Sequence, residues 1–537
     1  MANPNTDAFP ISVVYRSRGS LLLCGEADQV RAALPLVPAR LKTLAVVRGA
    51  PSSEHPGPVQ AVPGTLVQLR GHLGCFRAAA AGPLGPLDLA PLSPNGDGLF
   101  DLVLDLYEQP LIDSEVPPPG YLRTRGSRAD LEARLERLAR QVGTFNKPRY
   151  FSYDERLCAH DRQGVPGCRA CLDLCPADAI HTEAGAIAID PYLCRGCGTC
   201  TLACPTGAIR YSRPKPRATL QAIAEVLAPA RGAPQDRAAA RPPLVLHASD
   251  VEALAVPSGI PRLKVPTVGA VGIELWLAAL ALGASRVLLL TSGPLTPTTV
   301  RVIEQQIDLA RRLLRRLGEA PERIRLVRQP QGLDWGGLSN PWPPVPPSRL
   351  AAAEGKRQLL VEAIGHLGAH LSNGQVNPGL EPGAPFGGIR IDAGRCTLCH
   401  ACVGLCPTGA LRNRAGALEF AEAHCVQCGL CVNGCPERAL ASEPLIDVQA
   451  FVSRAERTLK AASEVFPCMR CGAPVGPRSL VEGSMARVRS HPMFQGEGLS
   501  LLQMCMSCRQ KASIGLVGNG GPDRPPRAKS VDLPTAN

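Results

Sequence analysis

The chain has 537 residues, a formal net charge of +12, 22 cysteines and only 4% aromatic residues. Its length predicts about three to five domains, and its 53 glycines and 53 prolines predict many turns without indicating a disordered chain. The basic residues are spread along the sequence, which argues against a nucleic-acid-binding protein. Residues Met1 to Arg16 contain no hydrophobic signal core, so we predict a cytoplasmic protein.

Residues 1–145 contain no metal-ligand pattern, and we predict that they form a small α/β domain. Apolar runs and helical periodicity indicate its elements. The expected strands are Ser20–Cys24, Thr43–Val47, Thr65–Arg70 and Phe100–Leu106, and the expected helices are Ala27–Ala33 and Arg128–Val142. Cys24 and Cys75 follow apolar runs, and we interpret them as buried thiols without a ligand role.

Residues 146–212 are predicted to form a first cysteine-rich module. It contains Cys158, then Cys168-x2-Cys171-x3-Cys175-Pro176, and finally Cys194-x2-Cys197-x2-Cys200-x3-Cys204-Pro205. Runs of this kind hold a pair of [4Fe–4S] clusters: three closely spaced thiolates bind one cluster, and the fourth cysteine, followed by proline, ligates the other cluster of the pair. We therefore predict site 1 at Cys158, Cys168, Cys171 and Cys204, and site 2 at Cys194, Cys197, Cys200 and Cys175.

Cys158 departs from this spacing, because nine residues separate it from Cys168 where two are expected. Closing a somewhat longer loop costs little additional entropy. We predict that Cys158 is a ligand, since it completes two sets of four cysteines. The alternative is a Cys158 that is merely buried, which would leave a three-cysteine site.

After a predicted linker at 213–241, residues 242–330 are expected to form a second small α/β domain. Its expected elements are the strands Leu244–His247, Val287–Thr291 and Arg323–Val327 and the helix Thr296–Leu317. The apolar stretch from Val268 to Leu290 is long enough to span a membrane, but it contains Glu274, Arg286 and three glycines. We interpret this stretch as strand, turn, helix, turn and strand, and we predict no transmembrane segment.

Residues 331–388 are predicted to be a Pro/Gly-rich linker with one helix at 349–372, and a second cysteine-rich module is predicted at 389–445. Its runs are Cys396-x2-Cys399-x2-Cys402-x3-Cys406-Pro407 and Cys425-x2-Cys428-x2-Cys431-x3-Cys435-Pro436. By the same rule, site 3 is Cys396, Cys399, Cys402 and Cys435, and site 4 is Cys425, Cys428, Cys431 and Cys406. The sequence Cys-Pro-Thr-Gly-Ala occurs at 204–208 and again at 406–410, which indicates that a whole module was duplicated.

Residues 446–519 are expected to form a helix at Val448–Val465 followed by a region with two CxxC knuckles. The knuckles are Cys468-x2-Cys471 and Cys505-x2-Cys508. Two such knuckles can bind one tetrahedral Zn²⁺ through four thiolates. We favour zinc over a fifth cluster because neither knuckle has the third cysteine or the following proline of the cluster runs. Residues 520–537 are predicted to be a disordered tail.

The cysteine runs resemble the bacterial 2[4Fe–4S] ferredoxin family, used twice in this chain. The segment Lys147 to Phe151, together with Cys158-Ala159-His160 and Gly167-Cys168, is similar to larger bacterial 4Fe–4S binding proteins that accompany formate dehydrogenases. The stretch Pro266 to Leu326 resembles the delta subunit of methyl-viologen-reducing hydrogenase. That family carries cysteines for a [2Fe–2S] centre, and this chain has no cysteine between Cys204 and Cys396, so the resemblance implies a docking domain without its cluster.

These patterns predict an α+β multidomain protein with two bacterial ferredoxin-like dicluster modules, two small α/β domains and a C-terminal knuckle region. The expected function is an electron carrier with four [4Fe–4S] clusters and one Zn²⁺, without catalysis of its own, since no acid–base or nucleophilic residue set stands out. One alternative is an electron-transfer subunit of a formate dehydrogenase or heterodisulfide-reductase-like complex. The other is an assembly or sensing protein whose clusters are structural.

Overall fold

The computed structural model describes residues 12–49, 59–231, 242–248, 256–257, 259–291, 293–328, 333–335, 338, 348, 350, 355–371, 384–414, 416–444, 451, 457–495 and 497–513. It is a mixed helix and strand protein with several domains. The predicted disordered tail at 520–537 lies outside the described residues. Within the described part of the chain, no helix combines the length and the apolar composition needed to cross a bilayer.

The N-terminal domain is built on a parallel sheet with the strand order β4-β3-β2-β8-β9. Its elements are β1 Ser12–Ser17, β2 Ser20–Glu26, α1 Ala27–Ala33, β3 Lys42–Arg48, β4 Gln60–Pro63, β5 Thr65–Arg70, β6 Arg77–Gly82, β7 Gly85–Asp88, β8 Leu102–Asp105, β9 Tyr121–Arg123, α2 Arg128–Ala139 and β10 Gly143–Pro148. The strands and helices predicted here are confirmed, with small differences at their ends.

Alternate residues of β2 enter two separate hydrophobic clusters, as expected for a strand whose successive side chains point to opposite faces. Leu21 and Leu23 pack with Leu135 of α2 on one face. Leu22 and Cys24 pack with residues of the antiparallel β5-β6-β7 sheet on the other. The sheet is therefore covered on both faces, which is the usual condition of parallel strands.

The first cysteine-rich module consists of three two-stranded sheets around its cysteine loops. Its elements are β11 Phe151–Tyr153, β12 Asp161–Arg162, β13 Val165–Pro166, β14 Ile180–Glu183, β15 Ala186–Ile189, α3 Thr199–Ala203 and β16 Ile209–Tyr211. Strand β11 pairs with β16, and β14 pairs with β15, both antiparallel. The extra residues between Cys158 and Cys168 form a separate hairpin from β12 and β13, which we call the insertion hairpin.

The central domain is a parallel sheet with the order β18-β17-β19-β20. Its elements, with the helices on either side, are α4 Pro216–Arg231, β17 Leu244–His247, β18 Arg262–Lys264, α5 Ile273–Ala281, β19 Val287–Leu290, α6 Pro297–Arg316, β20 Ile324–Val327 and α7 Lys356–Leu371. The start of the stretch predicted as a strand from Val268 is instead a 3-10 turn at Val268–Ala270. The helix and second strand of that stretch are confirmed by α5 and β19.

The first module packs against the central domain through hydrogen bonds and close backbone contact. The Thr199 and Thr299 hydroxyls are 2.8 Å apart. Gly198, with φ of +87°, lies so close that an added Cβ would be 2.2 Å from the Gly269 carbonyl oxygen. Glu115 of the N-terminal domain accepts hydrogen bonds from the amide and hydroxyl of Thr298 at 3.1 and 2.6 Å.

The second cysteine-rich module repeats the strand pairing of the first. Its elements are β21 Gly388–Ile391, α8 Ala401–Leu405, β22 Leu411–Arg414, β23 Ala417–Phe420, α9 Leu430–Asn433 and β24 Leu440–Glu443. Strand β21 pairs with β24 as β11 does with β16, and β22 pairs with β23 as β14 does with β15. The duplication indicated by the sequence is thus also seen in the pairing of the strands.

The C-terminal region corrects one sequence prediction. Its elements are β25 Thr458–Ala461, β26 Val465–Pro467, β27 Pro474–Pro477, α10 Arg478–Val488, α11 Glu497–Leu501 and α12 Met506–Ser513. The helix predicted at Val448–Val465 is wrong from Thr458 onward, because β25 instead adds to the edge of β23 and completes a three-stranded sheet. The part of that helix before Arg457 lies outside the described residues, apart from Phe451.

Candidate metal centres

The cysteine loops of sites 2, 3 and 4 share a backbone with alternating left-handed residues. The second and fourth residues after Cys194, Cys396 and Cys425 all have positive φ, and they are Gly196 (76°), Gly198 (87°), Leu398 (57°), His400 (59°), Gln427 (52°) and Gly429 (80°). Left-handed backbone is costly for residues other than glycine, so three of these positions carry local strain. Alternation of right- and left-handed residues points successive N–H groups into one concavity, which suits an anionic group such as an iron–sulfur cluster.

The thiols of sites 1 and 2 lie close enough to interact within each predicted set. Burial, followed by the negative charges of Cys204, Cys168 and Cys158, raises the pKa of Cys171 to about 12. Cys158 thus lies with the other thiols of site 1 despite its longer spacing, and it packs on the same apolar cluster as Cys171. In site 2, burial raises the pKa of Cys200, and the charges of Cys197, Cys194 and Cys175 add to it.

In sites 3 and 4, burial and neighbouring thiolates also raise the pKa values of cysteine thiols. Burial raises the pKa of Cys402 to about 12, with Cys399, Cys396 and Cys435 acting in the same direction. Burial also raises the pKa of Cys431, followed by the charges of Cys425, Cys428 and Cys406. Four thiolates held this close repel one another without a cation, so a metal that displaces their protons fits these sites. Ligation of iron by each named cysteine stays a prediction.

Hydrogen bonds to the sulfur atoms repeat between the two modules. Backbone amides of Ala179 and Ala439 donate to the sulfurs of Cys175 and Cys435, each over 3.3 Å. The Thr206 hydroxyl lies 3.6 Å from the Cys204 sulfur, and Thr408 lies 3.7 Å from that of Cys406. Such contacts orient thiolate ligands and influence the reduction potential of a bound cluster.

The two modules meet through the insertion hairpin. Leu430 at the start of α9 is fully buried in a small apolar patch with Ala159 and Leu405. Val165 of the hairpin, Cys168 of site 1 and Cys428 of site 4 pack against the same patch. The side-chain amide of Asn433 donates to the carbonyl oxygen of Pro166 over 2.8 Å. Site 1 and site 4 are therefore neighbours across the module boundary, a relation that cysteine spacing alone could not predict.

Two cations lie against the cysteine loops, and sequence reasoning missed both. Lys147 donates to the carbonyl oxygens of Tyr192 and Cys194, each at 2.8 Å. Arg357 donates to the carbonyl oxygen of Cys425 at 2.6 Å. Burial lowers the pKa of Lys147 to about 8 and that of Arg357 to about 10, so both are cations at neutral pH. They lie 47 and 68 residues before their cysteines, so no local motif reveals them.

The C-terminal knuckles form a compact group of four thiols. The sulfurs of Cys468, Cys471, Cys505 and Cys508 all lie within 4.8 Å of one another. Burial opposes ionisation of Cys468, but backbone N–H groups from both knuckles outweigh it and lower the pKa of this thiol to about 6. A thiolate that is already favoured at neutral pH is a good metal ligand. The helix α10 that follows the first knuckle contacts the loop of site 3, where the Ser479 hydroxyl donates to the Thr397 carbonyl oxygen.

Comparison with known proteins identifies both modules as iron–sulfur domains. Residues 395–440 match the family described as 4Fe-4S dicluster domain, and residues 187–210 match the family described as 4Fe-4S binding domain. These matches cover all of site 3 and site 4, and the last run of the first module.

Curated relatives share parts of the chain. The chain is 48% identical over 64 residues to a candidate electron transport protein, YsaA, of Escherichia coli (strain K12), covering 12% of this chain and 38% of that protein. It is 33% identical over 91 residues to formate hydrogenlyase subunit 2 of the same strain, covering 16% and 42%. It is 42% identical over 42 residues to the 7Fe ferredoxin of Hydrogenibacillus schlegelii, covering 8% and 54%.

The chain thus spans about half or less of the length of these relatives, and the similarity lies at the level of domains. Within that limit, the domains and relatives agree on one class of chemistry. The chain contains ferredoxin-type 4Fe–4S domains of the kind found in electron-transfer proteins.

Proposed function

We propose that this protein is a polyferredoxin, with modules at 146–212 and 389–445, that relays single electrons between redox partners through [4Fe–4S] clusters at sites 1 to 4. When bound, such clusters supply one-electron redox chemistry. The observation that carries the proposal is the apolar patch that joins Cys168 of site 1 to Cys428 of site 4. Two independent ferredoxins on one chain would not need their cysteine loops in contact.

The same contacts support an order for the relay. Cys171 of site 1 is among the charges that act on Cys200 of site 2, and Cys402 of site 3 is among those that act on Cys431 of site 4. With the contact between the modules, the sequence of sites is 2, 1, 4, 3. Cys399 of site 3 is exposed, so we propose that one partner exchanges electrons at this end.

We propose that the C-terminal knuckles bind zinc and not a fifth cluster. A tetrahedral Zn²⁺ with Zn–S bonds of about 2.3 Å requires sulfurs roughly 3.8 Å apart. The Cys471 and Cys505 sulfurs are 3.6 Å apart. In a cubane cluster each thiolate binds a different iron atom, so its four sulfurs need a wider spacing. The zinc would then be structural and would hold α10 against the loop of site 3.

The partner is proposed to be a redox protein or an oxidoreductase complex. The similarity to formate hydrogenlyase subunit 2 favours a complex that handles formate or hydrogen. We propose that the central domain, whose sequence resembles a hydrogenase delta subunit without its cysteines, serves as the docking domain for that partner. Its buried contacts with the first module, through Thr199 and Thr299, would then hold a partner close to site 2.

Metal analysis of oxygen-free protein tests the proposal. We expect about 16 iron atoms and as many sulfides per chain, from four of each per cluster, together with one zinc. Dithionite should reduce the clusters reversibly and produce a low-temperature EPR signal. Cys505→Ser should remove the zinc and leave the iron content unchanged. Colourless protein without an EPR signal would exclude the relay, and clusters that cannot be reduced and reoxidised without unfolding would favour a structural role.

A further inference from the structure

The same interaction occurs at equivalent positions of the two modules. Cys194 and Cys425 are each the first cysteine of the second run of their module. The backbone carbonyl oxygen of each accepts a hydrogen bond from a cationic side chain, Lys147 in the first module and Arg357 in the second. Lys147 lies on β10, at the start of the first module, and Arg357 lies on α7, which precedes the second module.

Duplication of the module does not account for this similarity. Lys147 belongs to strand β10 and Arg357 to helix α7, so the two elements have no common structural origin. The cation reaches the equivalent carbonyl group in two different ways. A buried carbonyl group needs only a hydrogen-bond donor, and a neutral donor would supply it without the cost of removing a charge from water.

Arg357 is held firmly in this position. It is 7% exposed, and its other donors bind the carbonyl oxygens of Ala423 and Pro385, each at 2.7 Å. Its guanidinium group lies 4.9 Å from the ring centre of Phe386 and 5.6 Å from that of Phe451. It also stands at the start of α7, where a cation opposes the helix dipole. Helix stability therefore does not explain a cation at this position.

Lys147 is half-buried and is positioned by three groups. Its ammonium donates to two carbonyl oxygens, those of Tyr192 and Cys194. It also lies 5.0 Å from the ring centre of Tyr15. The hydroxyl of that tyrosine donates to the Tyr192 carbonyl oxygen, which fixes the ring beside the ammonium. Lys147 thus has a defined position at the loop of site 2 and does not extend into solvent.

We infer that Lys147 and Arg357 are positioning residues that raise the reduction potentials of the clusters at sites 2 and 4 relative to the same sites without these cations. This inference rests on the proposed function. Reduction adds one negative charge to a cluster that is already anionic, and a nearby cation stabilises that charge most strongly where water is excluded. Sites 2 and 4 would then hold electrons more readily, one in each half of the relay.

Redox titration of the intact holoprotein, monitored by EPR, tests the inference. Lys147→Met is expected to shift the equilibrium for reduction of site 2 at least tenfold toward the oxidised form, which corresponds to about 59 mV for one electron. Lys147→Arg is expected to keep most of the wild-type potential, since it keeps the charge. Arg357→Met and Arg357→Lys form the corresponding pair for site 4.

Arg195→Met is the matched control. It removes the same charge from the residue next to Cys194, but its side chain is exposed, so water and salt screen its effect and the shift should be several-fold smaller. The inference is overturned if Lys147→Met shifts site 2 no more than the control, or if Lys147→Arg shifts it as much as methionine does. If Arg357→Met loses the cluster at site 4, the pair at Lys147 decides the question. A wild-type chain without iron would instead refute the proposed function.

Discussion

Replacing Leu430 with alanine tests whether the contact between the modules is held by the insertion hairpin. The Leu430 side chain is fully buried between the modules, and an added Cβ at Gly167 would lie 2.9 Å from it, so the first module touches α9 here. The substitution removes three carbon atoms. At about 0.8 kcal/mol for each, it costs roughly 2.4 kcal/mol of apolar burial, and the cavity left behind brings the total to about 2–5 kcal/mol.

Hydrogen exchange under oxygen-free conditions measures this loss. The amides of Gly167 and Cys168 donate to the carbonyl oxygens of His160 and Ala159 within the hairpin. A hairpin this short is not stable alone, so protection of these amides depends on docking against α9. A loss of 2.4 kcal/mol predicts roughly 50-fold faster exchange, at about 1.4 kcal/mol for each factor of ten.

Leu418→Ala is the control for this experiment. Leu418 is 1% exposed in the core of the second module and belongs to a different hydrophobic cluster. It should destabilise that module by a similar amount while leaving exchange of residues 159–168 near the wild-type rate. If both variants change the exchange of the hairpin equally, or if Leu430→Ala leaves it unchanged, the contact does not hold the modules together. A weaker magnetic interaction between reduced clusters in Leu430→Ala would support the docking model independently.

Three further predictions concern other parts of the chain. Cys158→Ser should lower the iron content, by up to four of about 16 atoms, whereas Cys75→Ser should leave it unchanged. Equal iron content in the two variants would identify Cys158 as a buried thiol. Gly198→Ala places a side chain in left-handed backbone, which costs about 1–2 kcal/mol, and it also meets the central domain. Gly198→Ala should therefore lower the melting temperature clearly. Gly404→Ala, where an added Cβ meets nothing within 4 Å, should not. Similar melting temperatures of the two variants would contradict the close packing of Gly198 against the central domain. Burial opposes ionisation of Glu115, but hydrogen bonds from Thr298 outweigh it and hold its pKa below the ordinary 4.5. The stability that the ionised Glu115 contributes is therefore complete above pH 4.5 and is lost as pH falls through the lower pKa of the folded state. Glu115→Gln should flatten this pH dependence of the free energy of unfolding in denaturation curves. An unchanged pH profile would refute the prediction.

Much of the N-terminal and central folds could be predicted from the sequence, because their strands are continuous apolar runs. Ser20–Glu26 and Val287–Leu290 are both buried along most or all of their length, which is typical of parallel strands in a covered sheet. The strand Arg77–Gly82 was not predicted, since four alanines carry little of the β-branched or aromatic signal of strands. At Thr458–Ala461 pairing with a neighbouring strand overrode the helical pattern.

For the candidate sites, the sequence does not predict contacts between residues that are far apart along the chain. Spacing within a cysteine run describes the local loop, and fifteen of the sixteen cysteines could be grouped into sets on that basis. Cys158 was added because it completes the fourth set. The order of the sets could not be obtained in this way, because it depends on the contact of Leu430 with the first module. The roles of Lys147 and Arg357 could not be predicted either, since nothing near them in sequence resembles a ligand motif.

The departure at Cys158 and the contact between the modules have a common physical explanation. Duplication of a two-site module does not by itself place the cysteine loops of the two copies in contact. The nine residues that precede Cys168 form the insertion hairpin, and Val165 and Pro166 of that hairpin contact the second module. The first module therefore deviates from the regular spacing where it must meet its copy. A chain with two-residue spacing at this position would keep its cysteines but lose the surface that brings site 1 to site 4.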